Sequence, residues 1–394
     1  MKILILLQRN PFVETSAQNN RFLSLAEGIL AHGANIKLLF VEYYGVESER
    51  KIFSNRGGNY KGFQYEYLSP LGTLNPIMKK LSKVLYNSTV LAKKIHAQYV
   101  KEDFDYLWLG VSEELFKIAL QLIKCKPRIN FLHERSEFSW IAFPNNKKLH
   151  DNYLKKLLPE IKVMAVMTKT LKQYYFPYLS EQAAIIHLPM TVDLSRFAEI
   201  KGDVNLIKPY IGYCGSMNNK KDGVDVLIQA FVEIMDQYPN LHLYLAGTKN
   251  LNEDYLNQVK IIEKSNAQNR ITYLGEISRE GIPAFLTNAS ILALARPNSQ
   301  QSEGGFPTKL GEYLASGRTV CVTNIGEISD YLTDNKSAFF ALPDNYVSFS
   351  ETIVKALSAK NIDEVGEEGR KIAFQIFNKD VQSKRFYDFL LSNK

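Results

Sequence analysis

Short apolar runs, each followed by a longer stretch of helical periodicity, recur along this chain and restart after about residue 206. No other feature restricts the fold as strongly. Ile3–Leu7, Ile36–Val41, Tyr106–Leu109, Ile129–Leu132, Val163–Met167 and Ala184–His187 are rich in Ile, Val and Leu. Runs that are apolar throughout, rather than alternating, belong to strands covered on both faces, as in parallel sheets. Phe22–Ala31 has helical spacing and stops just before Gly33, a helix-end signal. The second series begins with Ile207–Cys214 and continues through Leu241–Ala246, Ile271–Leu274, Ile291–Ala295 and Thr319–Thr323, with helical patterns between. The pattern predicts two doubly wound α/β domains, residues 1–190 and 191–375, joined near 190–206. The 394 residues suffice for two separate cores. Ligands of such sheets bind at the carboxyl ends of the strands, so a shared crevice is expected.

Composition excludes several classes. No apolar run is long enough to span a bilayer. Met1–Leu7 runs directly into Gln8-Arg9-Asn10 without a small-residue cleavage site, so it reads as a buried first strand rather than a leader. Cys125, Cys214 and Cys321 are far apart and form no metal-ligand spacing, as expected of small buried residues in a reducing cytoplasm. The net charge of +7 suits an anionic partner, be it a diphosphate, a phospholipid surface or nucleic acid.

Two segments carry chemistry. In Tyr210-Ile211-Gly212-Tyr213-Cys214-Gly215-Ser216 a strand ends at a glycine and a small polar residue. Lys220, Lys221 and Asp222 follow before Gly223 opens a helix. Backbone amides and lysines at such a turn suit phosphate oxygens. The second segment runs from Glu303 to Gly317. Gly304 and Gly305 permit close approach of a ligand, and Phe306 and Pro307 lead into a helix beginning at Thr308 and Lys309. Lys309 adds charge at the positive helix end, and Glu312, one turn in, is placed to accept hydrogen bonds from hydroxyls.

The second segment resembles the donor site of glycosyltransferase family 4, whose members have the GT-B fold: two Rossmann-like domains facing a central cleft. Glu312 matches the second of the family's two glutamates. Glu303, one residue further away than the usual spacing, stands for the first. Ala315-Ser316-Gly317-Arg318-Thr319-Val320 resembles the motif that follows, with Thr319 in place of proline. Ile185–Asp193 with Arg196-Phe197 is similar to the linker strand, Met190-Thr191 replacing Asn-Gly. Gly215 to Phe231 is similar to the family's phosphate block, but Ser216 replaces its arginine and Asp222 is inserted before Gly223. The resemblance places the nucleobase near Ile277 and makes His133, at the end of Phe131-Leu132-His133-Glu134-Arg135, a contact to the sugar or acceptor. It also returns a final helix, about 376–394, to the first domain. The first loop, which includes Glu14 and Thr15, lacks the family's paired glycines.

These matches imply a retaining, metal-independent hexosyltransferase that needs no cofactor beyond a UDP- or GDP-sugar donor. Both nucleotides remain open. Expected catalytic residues are His133, Lys221 and Glu303. Expected donor contacts are Ser216, Lys220, Lys221, Ile277, Gly304, Gly305, Phe306, Thr308, Lys309 and Glu312, with no metal ligands. The acceptor implied is a glycan or lipid-linked glycan of bacterial surface polysaccharide, with the protein cytoplasmic or peripheral on the inner membrane face. Two stretches favour that surface. Lys79–Lys101 has six lysines, no acidic residue and an apolar stripe through Leu81, Val84, Leu85, Leu91, Ala92, Ile95 and Tyr99; Lys147–Tyr178 has seven lysines. A core helix with a solvated basic face is the competing reading of the first stretch. Nucleic acid is not expected, because no aromatic interleaving marks a stacking surface. Rival readings are a GT-B epimerase or phosphorylase, a two-domain sugar-binding protein, and a dehydrogenase, the last disfavoured by the absence of Gly-x-Gly-x-x-Gly after the first strand.

Overall fold

A computed structural model of the chain describes residues 1–13, 16–42, 47–53, 55–69, 86–198, 200, 205–248 and 252–394. It divides into two compact units, Met1–Pro189 with Gln382–Lys394, and Met190–Val381.

The first unit is built on an 8-stranded sheet in the order β3-β4-β2-β1-β5-β6-β7-β8. The strands are β1 (Lys2–Leu7), β2 (Asn35–Phe40), β3 (Gly57–Tyr60), β4 (Phe63–Tyr67), β5 (Tyr106–Leu109), β6 (Phe131–Arg135), β7 (Ile161–Val166) and β8 (Ala184–His187). All neighbours are parallel except β3 and β4, which form an antiparallel hairpin at one edge. Ile3, Leu4, Ile5 and Leu6 of the central β1 are fully buried, the result expected for a run apolar on both faces. In β4, Phe63, Tyr65 and Tyr67 point inward and Gln64 outward. This period-two alternation marks a strand, although it sits outside the Ile/Val/Leu runs.

The final helix, Lys379–Ser392, supplies the residues that close the first unit's core. Tyr106 donates its hydroxyl hydrogen to the Leu390 carbonyl at 2.9 Å, and Phe386 packs edge-on against Trp108. The Ala17–Ala31 helix presents Gly28 to this element. A Cβ on Gly28 would lie 2.0 Å from the Ser383 hydroxyl oxygen and 2.2 Å from its Cβ, so only glycine fits.

Of the expected basic stripe, Leu81, Val84 and Leu85, with Lys79, Lys80 and Lys83, lie outside the described residues. The remainder forms the Ser88–Lys101 helix, with Asn87 as its N-cap. Leu91, Ala92, Ile95 and Tyr99 are buried in it. Their apolar face is therefore packed within the protein, as the core-helix reading expects of residues 88–101.

The second unit carries a wholly parallel 6-stranded sheet, β11-β10-β9-β12-β13-β14. These are β9 (Tyr210–Cys214), β10 (His242–Ala246), β11 (Ile271–Gly275), β12 (Ile291–Leu294), β13 (Val320–Thr323) and β14 (Phe339–Ala341). Its order reverses beside β9, and the carboxyl ends of strands at such a reversal are where open α/β sheets bind ligands. No helix among the described residues is long and apolar enough to cross a membrane.

Replacing Gly28 by valine must push the final helix off the Ala17–Ala31 helix. We expect a loss of about 1–3 kcal/mol, typical of overpacking. Chemical unfolding followed by near-ultraviolet circular dichroism checks it, and an unchanged midpoint would show that the terminal helix does not pack this way.

Candidate functional site in the second unit

The site at the end of β9 is assembled from both predicted segments. Gly215 follows β9 and hydrogen bonds through its N–H to the Ala246 carbonyl at 2.9 Å. The side chain of Lys309, from the Thr308–Ala315 helix, lies directly over it. A Cβ on Gly215 would be 2.6 Å from Lys309 Cε and 2.7 Å from Nζ. Lys309 Nζ also sits 5.5 Å from the centroid of the Tyr213 ring. Two stretches some ninety residues apart in sequence thus meet at one lysine.

Asp222 decides the electrostatics of that meeting. Its side chain is 2% exposed, and its carboxylate accepts from Lys309 Nζ at 2.6 Å and from the Ser216 hydroxyl. Burial works to raise the Asp222 carboxyl, but the charge and hydrogen bond of Lys309, with Ser216, outweigh it and hold it below the usual carboxylate range. Buried Arg296 adds a further cation, and its Nη1 donates to the Gly305 carbonyl at 3.0 Å. The residue inserted before Gly223 is therefore the anion of a buried pair, and Ser216, in the place of the family's arginine, binds it. The insertion is tolerated because Asn219–Asp222 forms one short helix, capped by the Asn218 side chain. Gly223 then turns the chain with φ 64°, and a Cβ there would lie 1.8 Å from the Ala295 carbonyl oxygen.

The other expected residues fall into three groups. Lys220, Lys221 and Ser216 are exposed at this rim, and Ile277 is half-buried beyond β11. Thr308 opens the Thr308–Ala315 helix, and its N-cap, Pro307, supplies no side-chain hydrogen bond to the first turn. That helix start lacks the side-chain acceptor that commonly satisfies first-turn amides. Gly305 is extended, with φ −109° and ψ 136°, a conformation open to any residue.

A second group holds the two glutamates and Gly304. Glu312 Oε1 pairs with Arg196 Nη1, while Arg196 Nη2 donates to the Arg279 carbonyl at 2.7 Å. Glu312 Oε2 has no hydrogen-bond partner among the described residues. Glu303 is exposed on the Gln300–Gly304 helix, and Gly304 is buried at its end.

The third group is turned inward. Phe306 is 5% exposed and packs against Tyr331 and Phe377, with centroids at 5.5 and 5.4 Å. It serves as a core residue of the second unit rather than as a donor contact. His133, in the first unit, is wholly buried. One ring nitrogen bonds to the Leu109 carbonyl at 2.9 Å and the other to the Tyr153 hydroxyl at 3.0 Å. Burial, with the nearby Arg135 charge, pushes its pKa down to about 3. A neutral imidazole with both nitrogens engaged joins β5 to β6 and has no surface to offer a sugar or acceptor. Among the described residues, no group of three or more His, Cys, Asp or Glu side chains is arranged to hold a metal ion.

Comparisons with known proteins bear on the fold and on the second unit's sequence. The family model described as Glycosyl transferases group 1 matches residues 208–359, all within the second unit. Sucrose-phosphate synthase from Thermosynechococcus elongatus matches over all of both chains at 16% identity, with a TM-score of 0.72. A glycosyltransferase from Rickettsia africae covers 100% of this chain and 99% of its own at 16% identity and TM-score 0.71. HepE from Anabaena, solved with UDP and glucose, covers all of both chains at 13% identity and TM-score 0.71. No curated protein sequence gives a significant match. Together the sheet topology and the whole-length structural likeness give the chain the GT-B fold, and its second unit is similar to the group 1 glycosyl transferases.

The His133 geometry has a measurable consequence. The unfolded chain takes up a proton near pH 6.5, whereas the folded imidazole does so only near pH 3. Unfolding free energy must therefore fall as pH drops through that window, by up to about 1.4 kcal/mol per pH unit from this one group. Urea unfolding between pH 7 and 4.5 should show a shallower pH slope for His133→Gln than for the native chain. Identical slopes would mean that the buried imidazole is not held neutral.

Proposed function

We propose that the protein transfers a hexose, with retention of anomeric configuration and without a metal ion, from a UDP- or GDP-sugar to a glycan or lipid-linked acceptor in surface polysaccharide synthesis. The observation that carries the donor site is Lys309 lying across Gly215 at the start of a helix whose cap gives no side-chain acceptor. A diphosphate oxygen supplies the missing acceptor, and the helix dipole and Lys309 stabilise the charge that develops on the leaving phosphate. Lys220 and Lys221 approach from the exposed rim. Glu312 Oε2 accepts from a ribose hydroxyl while Arg196 holds the carboxylate in place. Ile277 lies against the base. HepE is described with UDP-glucose, which supports a uridine donor here as well.

The buried pair separates binding from folding in the test. Removing Lys309 alone leaves Asp222 buried and uncompensated, which typically costs about 3–5 kcal/mol. Lys309→Ala should therefore lose both stability and turnover. Lys309→Ala with Asp222→Asn should recover much of the stability while turnover stays at least about tenfold down, as expected for loss of one charged hydrogen bond. Lys221→Ala, at an exposed position, should weaken turnover about tenfold with an unchanged Tm. Donor-dependent transfer assays in excess EDTA, with product configuration read by NMR, check the whole reading. Full activity in the double variant defeats the phosphate role of Lys309. Activity lost in EDTA and restored by magnesium defeats the metal-free mechanism, and an inverted product defeats retention.

The acceptor side of the proposal includes an anionic membrane surface. With the Ser88–Lys101 helix face buried, the supporting residues are Lys147, Lys148, Lys155, Lys156, Lys169 and Lys172, all exposed. Trp140 and Phe176, from the same part of the sequence, are 38% and 65% exposed. Exposed aromatics among lysines suit a lipid headgroup layer, each lysine near the surface contributing about 1 kcal/mol. Co-sedimentation should be strong with vesicles containing phosphatidylglycerol and weak with neutral ones. It should fall when Lys155, Lys156 and Lys172 become glutamate. Equal recovery in the supernatant with both vesicle types at low salt would rule out membrane docking.

A further inference from the structure

The first unit contains a cavity of about 190 Å³ walled by Gln18, Ser112, Arg135, Ser136 and Glu137. Ser112 follows β5, Arg135 ends β6 with Ser136 and Glu137 after it, and Gln18 stands in the first turn of the helix that follows β1. Strand order in this sheet reverses between β1 and β5, so the cavity occupies the switch point at which open α/β sheets bind ligands.

Arg135 distinguishes this cavity from an ordinary surface cleft. Its residue is 3% exposed. Nε donates to the Tyr175 hydroxyl at 2.9 Å, and Nη2 to the carbonyls of Phe138 at 3.2 Å and Glu137 at 3.4 Å. A guanidinium has five N–H donors and does not deprotonate. Nη1 makes no hydrogen bond among the described residues, and no carboxylate there pairs with Arg135. Buried Arg21 of the same unit shows the usual solution, with Glu134 at 2.6 Å. Burying a cation costs several kcal/mol unless a counter-charge offsets it. Two of the wall's other polar groups also have hydrogen-bonding capacity to spare. Ser112 Oγ accepts from the Leu115 N–H at 3.2 Å and so keeps its own proton to donate. The Glu137 carboxylate has no partner among the described residues. The wall therefore combines a buried cation with an acceptor for hydroxyl hydrogens.

We propose that this cavity binds an acidic sugar as the acceptor, Arg135 taking its phosphate or carboxylate and Glu137 its hydroxyls. Ser112, Ser136 and Gln18 complete the hydrogen bonding to the anionic group. The term acceptor rests on the glycosyltransferase reading above; the binding of an acidic sugar does not.

The test uses the full chain with saturating UDP or GDP, so that the second unit's phosphate site is occupied. Titration calorimetry then compares glucose 6-phosphate, glucuronate, glucose and inorganic phosphate. Glucose 6-phosphate or glucuronate should bind at least about tenfold more tightly than glucose, the increment of one charge-assisted hydrogen bond. Whichever of the two binds more tightly identifies the anionic group. Gln18→Glu, at an exposed position, should weaken that binding at least fivefold (about 1 kcal/mol) without altering nucleotide binding or Tm, and Arg135→Met should abolish it. If Arg135→Met fails to fold, Gln18→Glu and Ser136→Asp decide. A chain that binds nucleotide but takes acidic sugars no better than glucose overturns the inference and leaves the donor site standing. A chain that binds acidic sugar through Arg135 but no nucleotide overturns the proposed transfer and leaves this pocket standing. Tight binding unaffected by the variants places the ligand elsewhere and overturns the inference too.

Discussion

The pair between Lys309 and Asp222 is the constraint on which the second unit's site depends. A lysine laid over a glycine at a strand end is a poor arrangement by itself, because burial strips the ammonium of water. Asp222, almost wholly buried, supplies the counter-charge at 2.6 Å, and Ser216 holds the same carboxylate from the strand side. The pair therefore fixes three segments at once: the end of β9, the short Asn219–Asp222 helix and the start of the Thr308–Ala315 helix. It also lowers the net positive charge at the proposed phosphate position. The exposed Lys220 and Lys221 then become the cations not already neutralised by a buried partner there.

The same unit handles its second carboxylate in a related way. Glu312 is held by Arg196, which also bonds to the Arg279 carbonyl. The segment carrying Arg196 continues from Met190, whose Cε packs where a Cβ on Gly311 would lie 1.8 Å away. Methionine in this linker and glycine in the facing helix are thus a matched pair in volume. The first unit solves a different problem. Its core is completed by residues from the far end of the chain, and the closest approach is made possible by Gly28.

Much of the architecture was legible because buried parallel strands have to be apolar on both faces. Tyr106–Leu109 and Ala184–His187 match their strands end to end, and the Thr308 helix begins where the proline signal puts it. The hairpin of β3 and β4 contains no Ile, Val or Leu. Its inward residues are aromatic, and its edge strand is Gly57-Gly58-Asn59-Tyr60, with almost nothing apolar. Phe306 and His133 show the opposite difficulty. Each lies in a segment with the right pattern for a ligand contact, yet each side chain points into a core that sequence spacing does not reveal.

By itself the sequence determined the two α/β units, the run of strands and the two glycine-containing turns, because backbone hydrogen bonding and two-sided burial act on neighbours in the chain. It also marked Ser216 and Asp222 as departures from a family pattern without saying what they do. Only the tertiary structure decided that they bind each other and Lys309, that Arg196 takes one oxygen of Glu312, and that Arg135 is buried in a cavity wall without a carboxylate partner among the described residues. The physical reason is that charge pairing and desolvation depend on which side chains meet across distant segments. Local periodicity carries no record of such meetings.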